Sequence, residues 1–166
     1  MLAMNAVFHQ FKQKITHPLK YKLFLFTKLP MAFIAGLQLT TLEEQQAVVS
    51  VQYKWLNQNP FQSIYFAVLS MAAELSTGIL AFGHIYQQQP SVSMLVVNCT
   101  GSFHKKAVGK ITFVCNDGKM IENAILQAKQ TGEGVTINCT STGTNEKGEA
   151  VATFVFTWSF RAKSLA

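Results

Sequence analysis

Charge is scarce in this chain. Asp, Glu, Lys and Arg make up 13% of its 166 residues, where soluble domains carry about 25%, while apolar residues reach 49%. A surface so poor in charge implies that part of it is covered, most simply by a second copy of the chain. Cysteine is sparse as well. Cys99, Cys115 and Cys139 form no CxxC pair and have no His at metal-ligand spacing, so a zinc motif and a disulfide scaffold are both excluded, and neither metal nor cofactor is expected. Each falls in an apolar alternating segment and reads as a reduced core thiol of a cytoplasmic protein. Internal repeats and low-complexity linkers are missing. So is a signal-peptide pattern, because residues 1–11 have no basic start and the short LFLF run is cut by Lys28 and Pro30. What is present is one domain's length of chain with a net charge of +6 and a pI near 9.3, a balance that favours an anionic partner. The lysines are not interleaved with aromatics in a recognisable module, so nucleic acid is not the expected one.

The stretch poorest in charge is also the most informative. From Gln62 to Phe82 nearly every residue is apolar and one is ionisable, Glu74. At helical spacing Ala67, Ser70, Met71, Glu74, Thr77, Gly78 and Ala81 share a face of mostly small or polar side chains. Val68, Ala72, Leu75, Ile79 and Phe82 make the opposite face, so the spacing predicts a helix with its back in a core and Glu74 in a shallow trough. Such a helix is also the length of a membrane span, but Glu74 near its middle costs about 2.5–3.5 kcal/mol on insertion scales, which argues against a span. A buried carboxylate has either a partner or a task.

Residues 5–29 read as helical, with Phe8, Phe11, Ile15, Leu19 and Leu23 as one stripe and a break at His17-Pro18. Lys12, Lys14, Lys20, Lys22 and Lys28 decorate this stretch. It is expected to be a packed helical extension with a solvated lysine face, and membrane contact is not expected. Pro30 and Gly36 mark the change to strands. A hairpin follows, Leu37 to Leu42 and then Ala47 to Trp55, with Val49, Val51, Tyr53 and Trp55 on one face. Leu56 to Phe61 is a polar connection in which Pro60 forbids regular structure, and this holds Asn59 close to the start of the central helix. Alternation then predicts strands over Val92–Phe103, Ala107–Cys115, from Val135 past Cys139, and Ala150–Arg161. A short helix is predicted over Lys119–Gln130. Hairpin, long buried helix and four strands define an α+β class in which a sheet wraps one helix.

This order resembles the hotdog fold, a curved antiparallel sheet around one long central helix. Within it the chain resembles the phenylacetate-type acyl-CoA thioesterases and a related thioesterase-like group of unassigned function. The carrying motif is Asn59-Pro60-Phe61-Gln62-Ser63-Ile64-Tyr65-Phe66-Ala67 with Ala72-Ala73-Glu74 after it. Asn59 takes the place of the family's loop Asn, Tyr65-Phe66-Ala67 that of its His-Gly-Gly, and Glu74 that of its acidic residue. The resemblance implies a helical extension over residues 1–35 and a hotdog domain over 36–166. It also implies a homodimer or dimer of dimers whose sites are shared between subunits, and an acyl-CoA or acyl-carrier thioester as the ligand.

On that resemblance Glu74 acts as base or nucleophile, its pKa raised by the apolar helix around it, and Asn59 or Gln62 orients the water. Amides at the helix start near Tyr65, Phe66 and Ala67 receive the oxyanion. Ser63 and Thr77 complete the binding residues, and Lys105 and Lys106 meet the coenzyme A phosphates. Phe66 and Ala67 crowd a place where the family has glycines, which keeps open a non-catalytic acyl-CoA or lipid-binding alternative. A dehydratase of this fold is disfavoured because residues 54–63 contain no His. His84 and His104 read as surface or satisfied histidines, and Ser70 as a mid-helix residue with no neighbouring His.

Overall fold

The computed structural model describes residues 2–163, with side chains from Ala6 onward. Residue 1 and residues 164–166, the outer ends of the two segments expected above, lie outside it. Three helices come first, α1 Leu2–Ile15, α2 Pro18–Lys28 and α3 Pro30–Ala35. Strands β1 Gln38–Leu42 and β2 Ala47–Gln52 follow, then α4 Phe66–Ile85, β3 Val92–Phe103 and β4 Lys110–Cys115. The chain ends with α5 Gly118–Thr131, β5 Val135–Thr144 and β6 Ala150–Ala162. The six strands form one antiparallel sheet in the order β1-β2-β4-β5-β6-β3. Both edges, β1 and β3, are strands next to helical segments in the chain.

Alternation fills the core as expected. Val49 lies opposite Phe113 and Val51 opposite Ile111 in the β2–β4 register, and all four are buried. Each such side chain contributes about 1.5–3 kcal/mol by leaving water. Phe154, Phe156, Trp158 and Phe160 make the inner row of β6. Helix α4 is buried through Leu80 and through Ala72, Ala73 and Ala81, whose small side chains let the helix approach its neighbours closely. Its polar groups on that side are all partnered. Ser76 Oγ donates to the Ala73 carbonyl (2.7 Å) and shares a 2.7 Å hydrogen bond with Ser141 Oγ. Trp158 Nε1 donates to Thr77 Oγ1 (3.0 Å), which donates to the Glu74 carbonyl (3.0 Å). The helix is long and apolar enough to cross a bilayer, yet 67% of its most apolar window is buried within the protein.

Three expectations are corrected by long-range packing. The stripe foreseen for residues 8–23 is split. Phe8, Phe11 and Ile15 are buried, but Leu19 and Leu23 are 73% and 61% exposed. Pro18 starts a new helix at its first position, where its missing N–H costs nothing, and the changed direction makes Tyr21 and Leu25 the buried residues instead. Trp55, expected to end the second strand of the hairpin on one face with Val49, Val51 and Tyr53, stands 78% exposed in a 3-10 turn, Trp55–Asn57. Asn57 causes that turn: its side chain accepts from the Lys54 N–H (2.8 Å) and donates to the Gln52 (2.8 Å) and Ala35 (3.2 Å) carbonyls, drawing the backbone off the sheet. Cys115 and Cys139 are buried, whereas Cys99 is exposed, because it lies on edge strand β3 past a register shift at Val97. Helix α3 was not foreseen. It begins on Pro30 and ends at Gly36, whose φ of 78° is the left-handed conformation that glycine adopts freely.

Candidate active site

Glu74 lies midway along α4 on the face that the sheet leaves uncovered. Its carboxylate has no hydrogen-bond or ion-pair partner among the described residues, and burial pushes its pKa above the ordinary carboxylate value. Two adjoining apolar hollows meet at this side chain. One, of about 330 Å³, is walled by Phe24, Leu29, Leu75, Ile79, Phe82 and Met94. The other, of about 220 Å³, is closed by Pro30, Met31, Ala32 and Met71. Lys28 lines both hollows and is the one cation among their lining residues. The groove therefore runs between α4, the α2–α3 corner and the start of β3.

Gly78 sets where the carboxylate lies. A Cβ added at Gly78 would come 2.9 Å from Glu74 Oε1 and 3.3 Å from the Trp158 ring, so the Glu74 carboxylate rests over Gly78 and would have to shift if a methyl group stood there. Gly78→Ala is expected to displace the carboxylate and, should Glu74 take part in a reaction, to lower its rate about tenfold, a near-attack geometry effect. Its melting temperature should fall only modestly. Equal turnover in the variant would show that this placement is irrelevant.

The loop before α4 is ordered by Asn59. Its side-chain oxygen accepts from the Phe61 N–H (2.9 Å), the Ser63 N–H (3.3 Å) and Ser63 Oγ (3.1 Å). Gln62 projects from this turn with φ of 58°, and Ser63 is buried beneath it. The Ile64 N–H donates to the Ala107 carbonyl (2.9 Å), which pins the His104-Lys105-Lys106 turn beside the helix start. Tyr65 is the N-cap of α4 and makes no side-chain cap bond, leaving the first-turn amides of Phe66 and Ala67 without a side-chain partner. Phe66 is turned aside, its ring packed against Tyr65 and Phe103 at 4.9 and 6.3 Å between centroids.

These parts do not converge within one chain. Eight residues of helix separate Phe66 from Glu74, a rise of about 12 Å, so the loop and helix start lie well apart from the Glu74 carboxylate within the chain. Thr77 is not at the groove. It is fully buried in the seam with Trp158, and its hydroxyl contacts the backbone of Glu74 rather than the carboxylate. Lys105 is held by Glu149 at 2.6 Å, while Lys106 is exposed and has no carboxylate partner among the described residues. His84 is a satisfied core histidine, its Nε2 2.8 Å from the Glu44 carbonyl and its pKa lowered by burial. The walls that the sequence did not reveal are Phe24, Lys28, Leu29 and Met94. Only the apolar inner side of α2 hinted at them, and nothing local says which groove that side completes.

Comparison with known proteins places this architecture. PA5026 of Pseudomonas aeruginosa, a protein of unknown function and probable thioesterase, superposes with a TM-score of 0.75 over 90% of this chain and 99% of its own, at 22% identity. The Escherichia coli PaaI protein from the phenylacetic acid degradation operon gives 0.64 over 95% and 96%, at 14% identity. Thioesterase HI1161 of Haemophilus influenzae gives 0.62 over 84% and 88%, at 10% identity. Identities this low speak for the fold, and the fold is the hotdog fold, a curved six-stranded antiparallel sheet around α4 with helices before it. The chain belongs to the family described as a domain of unknown function, DUF4442, whose match spans residues 20–160. No curated protein matches its sequence.

Proposed function

We propose that this protein is a cytoplasmic acyl thioester hydrolase acting on coenzyme A esters, assembled as a homodimer or dimer of dimers with sites shared between copies. Residues 1–35 are the helical extension and 36–166 the hotdog domain in this reading. The observation that carries it is Glu74, a carboxylate with no partner among the described residues, held in apolar surroundings where two hollows meet. An ionisable group so placed is costly to keep unless it is used. The shared fold of thioesterase HI1161 and of PA5026, a probable thioesterase, supports the same class.

In the proposed reaction the acyl chain enters the apolar groove and Glu74 takes a proton from water. The water oxygen bonds to the thioester carbonyl carbon. The resulting oxyanion is received by the Phe66 and Ala67 amides of a second copy, at the positive end of its helix, and the Asn59 loop of that copy orients the water. Collapse breaks the carbon–sulfur bond, and the thiolate leaves with the proton that Glu74 had taken. Water and thioester thus give acid and thiol. Lys106 and, of the N-terminal lysines, Lys28 at the groove hold the coenzyme A phosphates, with Lys105 already engaged by Glu149.

Phe66 favours a second reading. A side chain where a smaller residue would admit a carbonyl suits a protein that binds acyl-CoA without cleaving it. Free-thiol release across a panel of acyl-CoA esters decides between them. Turnover of any ester that depends on Glu74 supports hydrolysis, whereas tight binding with no thiol release across the panel overturns it.

A further inference from the structure

The α2–α3 corner has an outward face that the core does not use and that meets the groove only at Met31. About the axis of α2, where successive residues are about 100° apart, Tyr21 and Leu25 face the core, and Leu19, Leu23 and Phe26 form a stripe pointing directly away from it. These three are 73%, 61% and 62% exposed. The stripe continues onto α3, where Met31, Phe33 and Ile34 are exposed and Phe33 meets Phe26 edge-on with ring centroids 5.5 Å apart. Lys20 and Lys22 flank the stripe on its two sides. A helix whose apolar stripe turns to solvent between lysines is the pattern of a segment that lies in a membrane interface.

The charge distribution points the same way. Residues 1–42 hold five lysines and no acid, and residues 43–166 hold nine basic and eight acidic side chains. Hence +5 of the net +6 sits in the first quarter of the chain. Lys12 is paired with Glu43, but Lys20, Lys22 and Lys28 have no carboxylate within 4.0 Å among the described residues. A second copy docked stripe to stripe about a twofold axis would set these lysines against each other with no acid in the segment to pair them. An anionic surface meets no such repulsion.

We propose that the outward face of α2 and α3 docks this protein on anionic phospholipid bilayers, with Leu19, Leu23, Phe26 and Met31 entering the acyl boundary and Lys20 and Lys22 at the headgroups. This differs from the expectation of a solvated lysine face, because the packing turns the apolar stripe of α2 outward. Docking also sets the Glu74 groove at the membrane, since Lys28, Leu29, Pro30 and Met31 line it, but the proposal does not depend on turnover.

The test is co-sedimentation of the full chain with vesicles of phosphatidylcholine alone and of phosphatidylcholine mixed with phosphatidylglycerol, at low and high salt. The wild type should bind the mixed vesicles at least about tenfold more than the neutral ones, and high salt should weaken this. Leu23→Gln with Phe26→Gln, and separately Lys20→Glu with Lys22→Glu, should each lower binding at least about tenfold. All four positions are exposed, so melts should match the wild type; should the apolar pair lower stability, the charge pair still decides. Failure of the wild type to bind either vesicle, or binding that neither pair weakens, overturns the proposal. So does a lipid-free particle that light scattering shows to be halved in mass by Leu23→Gln with Phe26→Gln, because the stripe would then be an interface between copies.

Discussion

Glu74→Gln is expected to lower thioester hydrolysis at least about 100-fold while leaving the assembly folded. Glutamine keeps the volume and polarity of the side chain and removes its ability to accept a proton from water. Loss of stability is not expected, since no ion pair is broken: the carboxylate has no partner among the described residues, and burial raises its pKa. Because the folded-state value lies above the unfolded one, the contribution of Glu74 to stability is fully present below the ordinary carboxylate pKa, where the group is protonated in both states. That contribution is lost as pH rises through the raised folded value. The variant should therefore melt like the wild type in acid and at a higher temperature at neutral pH. Wild-type turnover should rise with pH through the same raised pKa, as a base must be ionised to act. Undiminished hydrolysis by folded Glu74→Gln protein would remove Glu74 from the mechanism, and a lower melting temperature at neutral pH would mean that its carboxylate has a stabilising partner after all.

The second large effect is expected at β3. This edge strand of twelve residues pairs with β6 on one side only, and Leu95, Val97 and Phe103 along it are 65%, 51% and 53% exposed. A long apolar edge with unpaired backbone groups invites another strand, and a second β3 is the one the chain itself supplies. Leu95→Lys with Val97→Lys should separate the copies, since twofold pairing brings lysine close to lysine across the strands. The product should scatter as a monomer of 18.4 kDa and hydrolyse thioesters at about 1% of the wild-type rate or less. The Phe66 and Ala67 amides of another copy would no longer reach the carbonyl beside Glu74, and removal of one oxyanion donor alone costs about 10²–10³ in rate. Full turnover by a stable monomer would place the whole site within one chain and refute the shared-site reading.

Much of the fold was legible in the sequence because its signals are local. Alternation at Ile111, Phe113 and Cys115 and at Phe154 through Phe160 names strands whose inner rows are buried. The apolar density of residues 62–82 names a core helix, and Pro60 with Asn59 names the loop that must end before it begins. Glu74 stood out for the same reason, as the one ionisable residue of a stretch that should exclude charge. Its placement, the open flank at Ala67, Ser70 and Met71, and the buried back at Val68 and Ala72 follow from a period of 3.6. The same period misplaced Thr77, Ala81 and Phe82: the first two are buried against the sheet and the last is exposed. A helix wrapped by a curved sheet is covered over more than half its circumference, and the spacing of residues along one helix does not record where that cover ends.

Sequence alone thus determined the six strands, the long central helix and their order, the α+β class and the identity of the lone carboxylate, each through patterns a few residues wide; it did not show α3 or the 3-10 turn at Trp55. Only the tertiary structure decided that β3 crosses to the far edge beside β6, that the register shift at Val97 turns Cys99 outward into an open edge, and that Pro18 rotates Leu19 and Leu23 away from the core. The groove at Glu74 belongs to this second group. Its walls come from α2, α3, α4 and β3, segments up to about seventy residues apart. Which of them meet is set by the total apolar surface the whole chain can bury at once, a quantity that no window of sequence contains.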